Sequence, residues 1–260
     1  MVHQEFDSPF ELRHAIQCFW YNKRDTDEQS SSFDVIPDGY TELIFHFGGG
    51  CSLLTGEGFQ PLPSPFLMGV LNQPATFQAT SRLEIIGIRC FPWTVFDLLG
   101  LPPDQEGVRL ADHPIAQLQS TLHELIEVGK VGEAIGQVRQ YFLQERAGTA
   151  TDSRLTKAGA AMKESNGTLP VSQVATAAHT TVRTLERKFK QSSGHTVKDV
   201  SGLMRFEQVR NHLWLDPDVN LAGLAHELGY TDQAHLSRDF KRYSGSTPAA
   251  FARKVRGNNR

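Results

Sequence analysis

Arg183, Glu186, Arg187 and Lys190 follow one another at spacings of three, one and three residues, which gathers them on one side of a helix. Arg238, Lys241 and Arg242 repeat the arrangement further along the chain. A guanidinium can donate two parallel hydrogen bonds to guanine O6 and N7, whereas an ammonium or hydroxyl on a phosphate holds register without reading sequence. An isolated basic stripe is ordinarily a solvated surface, so the charge around it matters. Residues 1–150 carry 9 Lys and Arg against 19 Asp and Glu, net −10, and residues 151–260 carry 17 against 10, net +7, within an overall −3. Only the second half suits a polyanion.

The elements that must carry these side chains are written twice. "FKQSSGHTV" (189–197) and "FKRYSGSTP" (240–248) share Phe, Lys, Ser, Gly and Thr at a 51-residue offset. Upstream, "VATAAHTTVRTLERKFKQSSG" aligns with "LAHELGYTDQAHLSRDFKRYSG" once the second is allowed one extra residue. Such repetition marks two copies of one supersecondary unit. In the first, Val174, Ala175 and Ala178 form a short apolar face, the chain turns near His179, and a helix starts after a Thr180 or Thr181 cap with Val182, Leu185 and Phe189 inward. In the second, Leu221, Leu224, Ala225 and Leu228 precede a Gly229 turn, and Leu236 and Phe240 point inward with Ala234, Arg238, Lys241 and Arg242 outward. A small residue followed four positions later by one able to take positive φ, then a helix with a basic outer face, predicts helix-turn-helix geometry. Val200, Leu203, Phe206, Val209 and Leu213 predict one long connecting helix over 197–215. Two such units can meet successive major-groove segments about 34 Å apart.

On Ala175, "RTLERKFK" (183–190), Gly194, Arg205 and "LAHELGYTDQAHLSRDFKRYSGSTP", residues 154–255 resemble the DNA-binding domain of the AraC/XylS family of bacterial transcriptional regulators. The resemblance implies that the second helix of each unit enters the major groove. It brings Arg183, Glu186 and Arg187 there from the first unit, and Gln233, Ala234, His235, Ser237 and Arg238 from the second. Thr181, Thr184, Lys188, Lys190, Lys241 and Arg242 complete the candidate DNA contacts. Arg187 and Arg238 are the expected base readers. Lys188, Lys190, Lys241 and Arg242 are phosphate contacts or solvated charge, and Glu186 accepts from cytosine N4 or pairs with Arg183 or Lys190. The sequence departs from the family pattern at His179 in the turn and at Pro170, where a Ser or Thr cap is commoner.

In the acidic half, "FDVIPDGYTELIFHFGGG" and "EIIGIRCF" read as strands, and "GGGCSLLTGEG" between them as a loop or hairpin. After Trp93 the period becomes helical. Ile115, Leu118, Leu122, Leu125 and Ile126 make one stripe, and Val131, Ile135, Val138, Tyr141 and Phe142 another; these either form a dimer interface or cover the sheet. The expected class is α+β. A β-rich domain with following amphipathic helices (1–148) precedes an all-α domain (154–257) whose two helix-turn-helix units, at about 171–190 and 221–242, are joined by a long helix. "QERAGTATDSR" (144–154) reads as the linker. "PDGYTELIF" and "IGIRCFPW" resemble one uncharacterised type of sensor domain in the same family. Trp20, Tyr21, Tyr40, His46, Arg89 and Trp93 offer aromatic walls and polar anchors for an effector, or are core and surface.

No phosphate-loop or GxGxxG order is present in the glycine-rich stretch, and no zinc cysteine set or Pro-Cys-His nucleophile motif occurs, so the chain is not expected to be an enzyme. Cys18, Cys51 and Cys90 read as reduced thiols, His212 and His226 as ordinary helix residues, and no metal or other cofactor is implied. Without an apolar run of about 18–20 residues or a signal-like start, the expectation is a cytoplasmic protein with no membrane partner. The function expected is sequence-specific transcriptional regulation, usually activation in this family, controlled by an unidentified small-molecule effector bound in the first domain. The alternative is a ligand-independent regulator whose first domain only dimerises. The partners implied are double-stranded DNA, the effector, RNA polymerase and a second copy of the chain.

Overall fold

Short apolar runs bounded by turn residues build the first half of the chain into antiparallel sheet, with central strands buried along most of their length. The structure, a computed structural model, describes residues 2–24, 31–80, 82–100, 108–110, 113–145 and 152–258. It divides into two units: residues 1–35, 40–70 and 75–151, and residues 152–260 with the short segments 36–39 and 71–74. The expected linker over 144–154 falls mainly on 146–151, outside the described residues.

Among the described residues of the first unit ten strands run in chain order: β1 (Val2–Asp7), β2 (Ile16–Arg24), β3 (Ser31–Val35), β4 (Thr41–Gly48), β5 (Cys51–Thr55), β6 (Gly58–Pro61), β7 (Phe66–Met68), β8 (Ala75–Ala79), β9 (Leu83–Cys90) and β10 (Val108–Leu110). Six form one sheet in the order β1-β2-β9-β4-β7-β10, and four a second in the order β3-β8-β5-β6. The glycine-rich stretch is the β5–β6 hairpin. Among the described residues the unit also holds the α-helices α1 (Val95–Leu99), α2 (Gln119–Glu127) and α3 (Val131–Glu145), with short 3-10 turns at Phe10–Leu12 and Pro114–Leu118. Phe19, Tyr21, Leu43, Phe45, Phe47, Ile86 and Ile88 project from one face of the larger sheet into a core shared with Ile115, Leu122, Ile126, Ile135, Val138 and Phe142. The two amphipathic stripes therefore cover the sheet. On the opposite face Trp20 pairs with Gly87. A Cβ at Gly87 would lie 2.0 Å from Trp20 Cε2, so only glycine lets the indole lie across β9.

Among the described residues seven helices make the second unit: α4 (Ser153–Glu164), α5 (Val171–Ala177), α6 (Val182–Ser193), α7 (Val197–Leu215), α8 (Leu221–Glu227), α9 (Gln233–Ser244) and α10 (Pro248–Asn258). The doubled Ser-Gly-x-Thr tail is a stop-and-restart device. Ser193 Oγ lies 2.7 Å from Phe189 O and accepts from His195 N at 3.1 Å; Ser244 Oγ lies 2.7 Å from Phe240 O and accepts from Ser246 N at 3.2 Å. The following threonines cap the next helix, Thr196 in a capping box with Asp199 and Thr247 accepting from Ala250 N at 3.2 Å. α7 is thus launched directly from the end of α6, and α10 from the end of α9. Arg205 of α7 donates to Gly167 O at 2.7 Å and lies over the Tyr230 ring at 5.1 Å, tying the connector to the turn between α8 and α9. Among the described residues no helix is long and apolar enough to cross a membrane.

The turns of the two units are superposable in their hydrogen bonds: His179 N donates to Thr176 O at 3.0 Å, and Gly229 N to His226 O at 3.2 Å. Both are left-handed, at φ 49° for His179 and φ 71° for Gly229. The histidine Cβ makes that conformation costly. His179→Gly is expected to stabilise the helical domain of residues 152–260 by about 0.5–1 kcal/mol, read as a rise in the urea midpoint of the helical signal. An unchanged or lower midpoint would mean that the His179 side chain contributes as much as its backbone costs.

Candidate nucleic-acid interface

The second helices of the two units, α6 and α9, are both 12 residues long and correspond position by position at the 51-residue offset. Each is capped by a side chain at its start: Thr181 Oγ1 accepts from Thr184 N at 3.2 Å, and Asp232 Oδ1 from His235 N at 2.7 Å. Leu185 and Phe189 of α6, and Leu236 and Phe240 of α9, are fully buried. That anchoring turns Arg183, Arg187 and Lys190, and Gln233, Ala234, Arg238, Lys241 and Arg242, to solvent. His235 and Ser237 are half-buried, with His235 stacked edge-on to Tyr230 at 5.2 Å and 3.6 Å from Asp239. The Thr181 hydroxyl also donates to Thr184 Oγ1 at 3.0 Å, so both threonines serve the helix start. Arg187 Nη1 donates to Gln191 Oε1 at 3.2 Å, which holds that guanidinium along the exposed face.

Three residues of α6 depart from the roles expected for them. Lys188 is neither free nor fully exposed: its Nζ lies 2.6 Å from Asp152 Oδ2. Asp152 is also the cap of α4 and accepts from Arg154 Nε at 3.0 Å. Partial burial pushes the Asp152 carboxyl up, but hydrogen bonds from Arg154 and Lys188 outweigh it and hold the group well below the usual carboxylate range. Lys188 therefore ties α6 to the start of α4. Glu186 forms no ion pair with Arg183 or Lys190 among the described residues; its Oε2 accepts from Val197 N at 3.4 Å, across the junction of α6 and α7. Val182, expected inward with Leu185 and Phe189, is 42% exposed, because the first turn of α6 projects past the core.

The residues expected to line an effector pocket separate into three places. Trp20, Tyr40 and Arg89 meet around Glu42, which is 5% exposed. The Trp20 indole reaches across Gly87 to donate to Glu42 Oε1 at 3.3 Å, Arg89 Nε donates to the same oxygen at 2.8 Å, and the guanidinium lies 5.3 Å from the Tyr40 ring centroid. Trp93 is 2% exposed and stacks on Phe91 at 5.0 Å, so it is core and not a pocket wall. His46 lines a cavity of about 400 Å³ with Phe47, Gly48, Gly49, Gly50, Ser64, Gln119, Ser120 and His123. Ser64 Oγ accepts from His46 N and donates to Gln119 Oε1, both at 2.8 Å, and Gln119 Nε2 donates to His46 O at 3.2 Å. Burial pushes the His46 ring toward the neutral form, against the carbonyls of Leu62, Pro63 and Gly49. Cys18, Cys51 and Cys90 are buried and form no disulfide among the described residues, and burial raises the Cys51 thiol to about 11. Among the described residues no group of three or more His, Cys, Asp or Glu side chains is placed to hold a metal.

Two helix pairs with capped, outward-facing second helices and a rigid connector define a double helix-turn-helix domain. Residues 174–254 match the family described as a helix-turn-helix domain, and residues 4–107 match a domain of unknown function (DUF6597). The chain carries an AraC-type helix-turn-helix domain preceded by a DUF6597 domain. It is 32% identical over 74 residues to the uncharacterized transcriptional regulatory protein YesN of Bacillus subtilis (strain 168), covering 28% of this chain and 20% of that protein. The chain thus spans about a fifth of the curated relative it matches. Among solved structures, ToxT from Vibrio cholerae O395 is similar at TM-score 0.45 and 13% identity, covering 92% of this chain and 98% of that one. The DNA-binding domain of AdpA, solved in complex with a target DNA, is similar at TM-score 0.37 and 23% identity over 41% of this chain and 96% of that one.

Proposed function

We propose that the chain is a sequence-specific DNA-binding transcriptional regulator of the AraC/XylS type, an activator acting in the cytoplasm and switched by a small-molecule effector bound in its first domain. The observation that carries DNA reading is the correspondence of α6 and α9: two helices of equal length and equivalent capping, each anchored by a buried Leu and Phe, and each presenting arginine and lysine outward. Arg183 and Arg187 read bases from the first unit, and Gln233 and Arg238 from the second. Lys190, Lys241 and Arg242 hold phosphates, and RNA polymerase is recruited by the bound protein. The first domain offers an effector the His46 cavity and, on the other face of β9 from the core, the cluster of Trp20, Tyr40 and Arg89 about Glu42. An effector that binds one state better than another biases the DNA-binding equilibrium by its differential affinity.

Selection of bound sequences from a random duplex pool by the full chain tests this reading. The expected product is a bipartite motif with halves about one helical turn apart. Recovery of no motif across a screen of small molecules that raise the thermal midpoint would overturn it. A motif recovered with no such ligand found would favour the ligand-independent regulator with a dimerising first domain.

A further inference from the structure

We propose that Val182 reads the C5-methyl group of a thymine in the first half-site, which makes the two halves of the target chemically unlike. The inference rests on the DNA-binding reading above. Val182 is the first residue of α6 and is 42% exposed, while Leu185 and Phe189 fill the core beneath it at 1% and 0%. It stands beside the exposed Thr181 and Arg183 at the end of a helix whose exposed residues are otherwise Arg187, Lys190 and Gln191. The N-terminal residues of a reading helix are the ones that approach base edges. In that environment an exposed valine offers no hydrogen bond and gains nothing from water. What it can contact favourably in the major groove is the single apolar group displayed there, the thymine methyl.

A β-branched side chain suits such a contact. Valine in a helix holds essentially one χ1 rotamer, so its methyl groups are already positioned and little conformational freedom is lost on binding. The equivalent position of α9, 51 residues on, is Gln233, exposed and able to exchange two hydrogen bonds with adenine N6 and N7. The repeat thus presents an apolar reader at the start of one helix and an amide at the start of the other. Arg187 and Arg238, which also correspond, leave the two half-sites alike at another position.

The test uses the full chain and the duplex recovered by selection, with each thymine replaced in turn by uracil, which pairs identically and lacks only the methyl. Wild type should lose about fourfold in affinity at one thymine of the first half-site, the scale of one buried methyl. Val182→Ala should bind the thymine duplex about fourfold less tightly and become insensitive to uracil at that position, while its response to uracil in the second half-site is unchanged. Val182→Gln should shift the preferred base there toward adenine. If Val182→Ala remains as sensitive to uracil as wild type at every position, the inference is overturned while the DNA-binding reading stands. If wild type yields no preferred duplex at all, both fall together.

Discussion

Phe206→Ala is expected to destabilise the second unit by about 3–5 kcal/mol, an effect comparable with the whole stability of a small domain. Phe206 lies in the middle of α7 and is fully buried. Its ring meets Phe240 of α9 edge-on at 5.2 Å and Tyr243 at 5.3 Å, and Phe240 in turn meets Phe251 of α10 at 5.5 Å. Three helices therefore converge on one aromatic cluster, and truncation removes both transfer energy and the edge-to-face contacts. The cavity cannot close easily because α9 is held at both ends, by the Asp232 cap and by the Ser244 and Gly245 stop. Urea unfolding of the full chain followed by the helical signal checks this, with Phe206→Leu expected to recover most of the loss. The same variant should lose DNA binding, since α9 would no longer be fixed against the connector. An unchanged midpoint would show that the cluster is not what holds the reading helix in place.

How much of this was legible in the sequence differs between the units, for a physical reason. Repetition let the second half be compared with itself, so helix period, turn position and the paired Ser-Gly-x-Thr tails constrained one another. Interactions between residues distant in sequence were not accessible in that way. Lys188 looked like one more outward cation because its partner, Asp152, lies 36 positions away in the cap of another helix. Val182 satisfied the inward spacing of Leu185 and Phe189, and periodicity gives the side of a helix but not where the core beneath it stops. In the first unit β4 and β9 were legible as apolar runs, whereas β1 and β2 lay ahead of the stretch read as strand. Trp20, Tyr40 and Arg89 were singled out for their chemistry, yet Glu42, which gathers them, was not. A charge inside "TELIF" and one inside "IGIRCF" become a pair only when the register is known, and in the sheet Glu42 stands directly opposite Arg89.

Arg238→Ala is expected to weaken specific binding by about 1–3 kcal/mol, roughly 5- to 150-fold, and to erase preference at one base pair of the second half-site. Arg238 is exposed on α9, and among the described residues no ion pair engages it: Asp239 turns instead to His235. Its guanidinium is therefore available without first breaking a contact in the protein. Arg187, its counterpart, is steadied by Gln191, whereas the residue at that place in α9 is Arg242, which lies over the Tyr243 ring at 5.2 Å. Like charge at a spacing of four leaves Arg238 to be ordered by the DNA, so its removal should fall on discrimination and not on fold. Arg238→Lys should keep most of the non-specific affinity and still lose the base preference, because an ammonium cannot make the bidentate pair. Lys241→Ala supplies the contrast: it should weaken all duplexes alike and lower the slope of log affinity against log salt by about one. Affinities measured at several salt concentrations, on the selected duplex and on single-base variants, separate the two roles. If Arg238→Ala behaves like Lys241→Ala, the guanidinium sits on a phosphate, and the base reader of the second unit must be sought at Gln233.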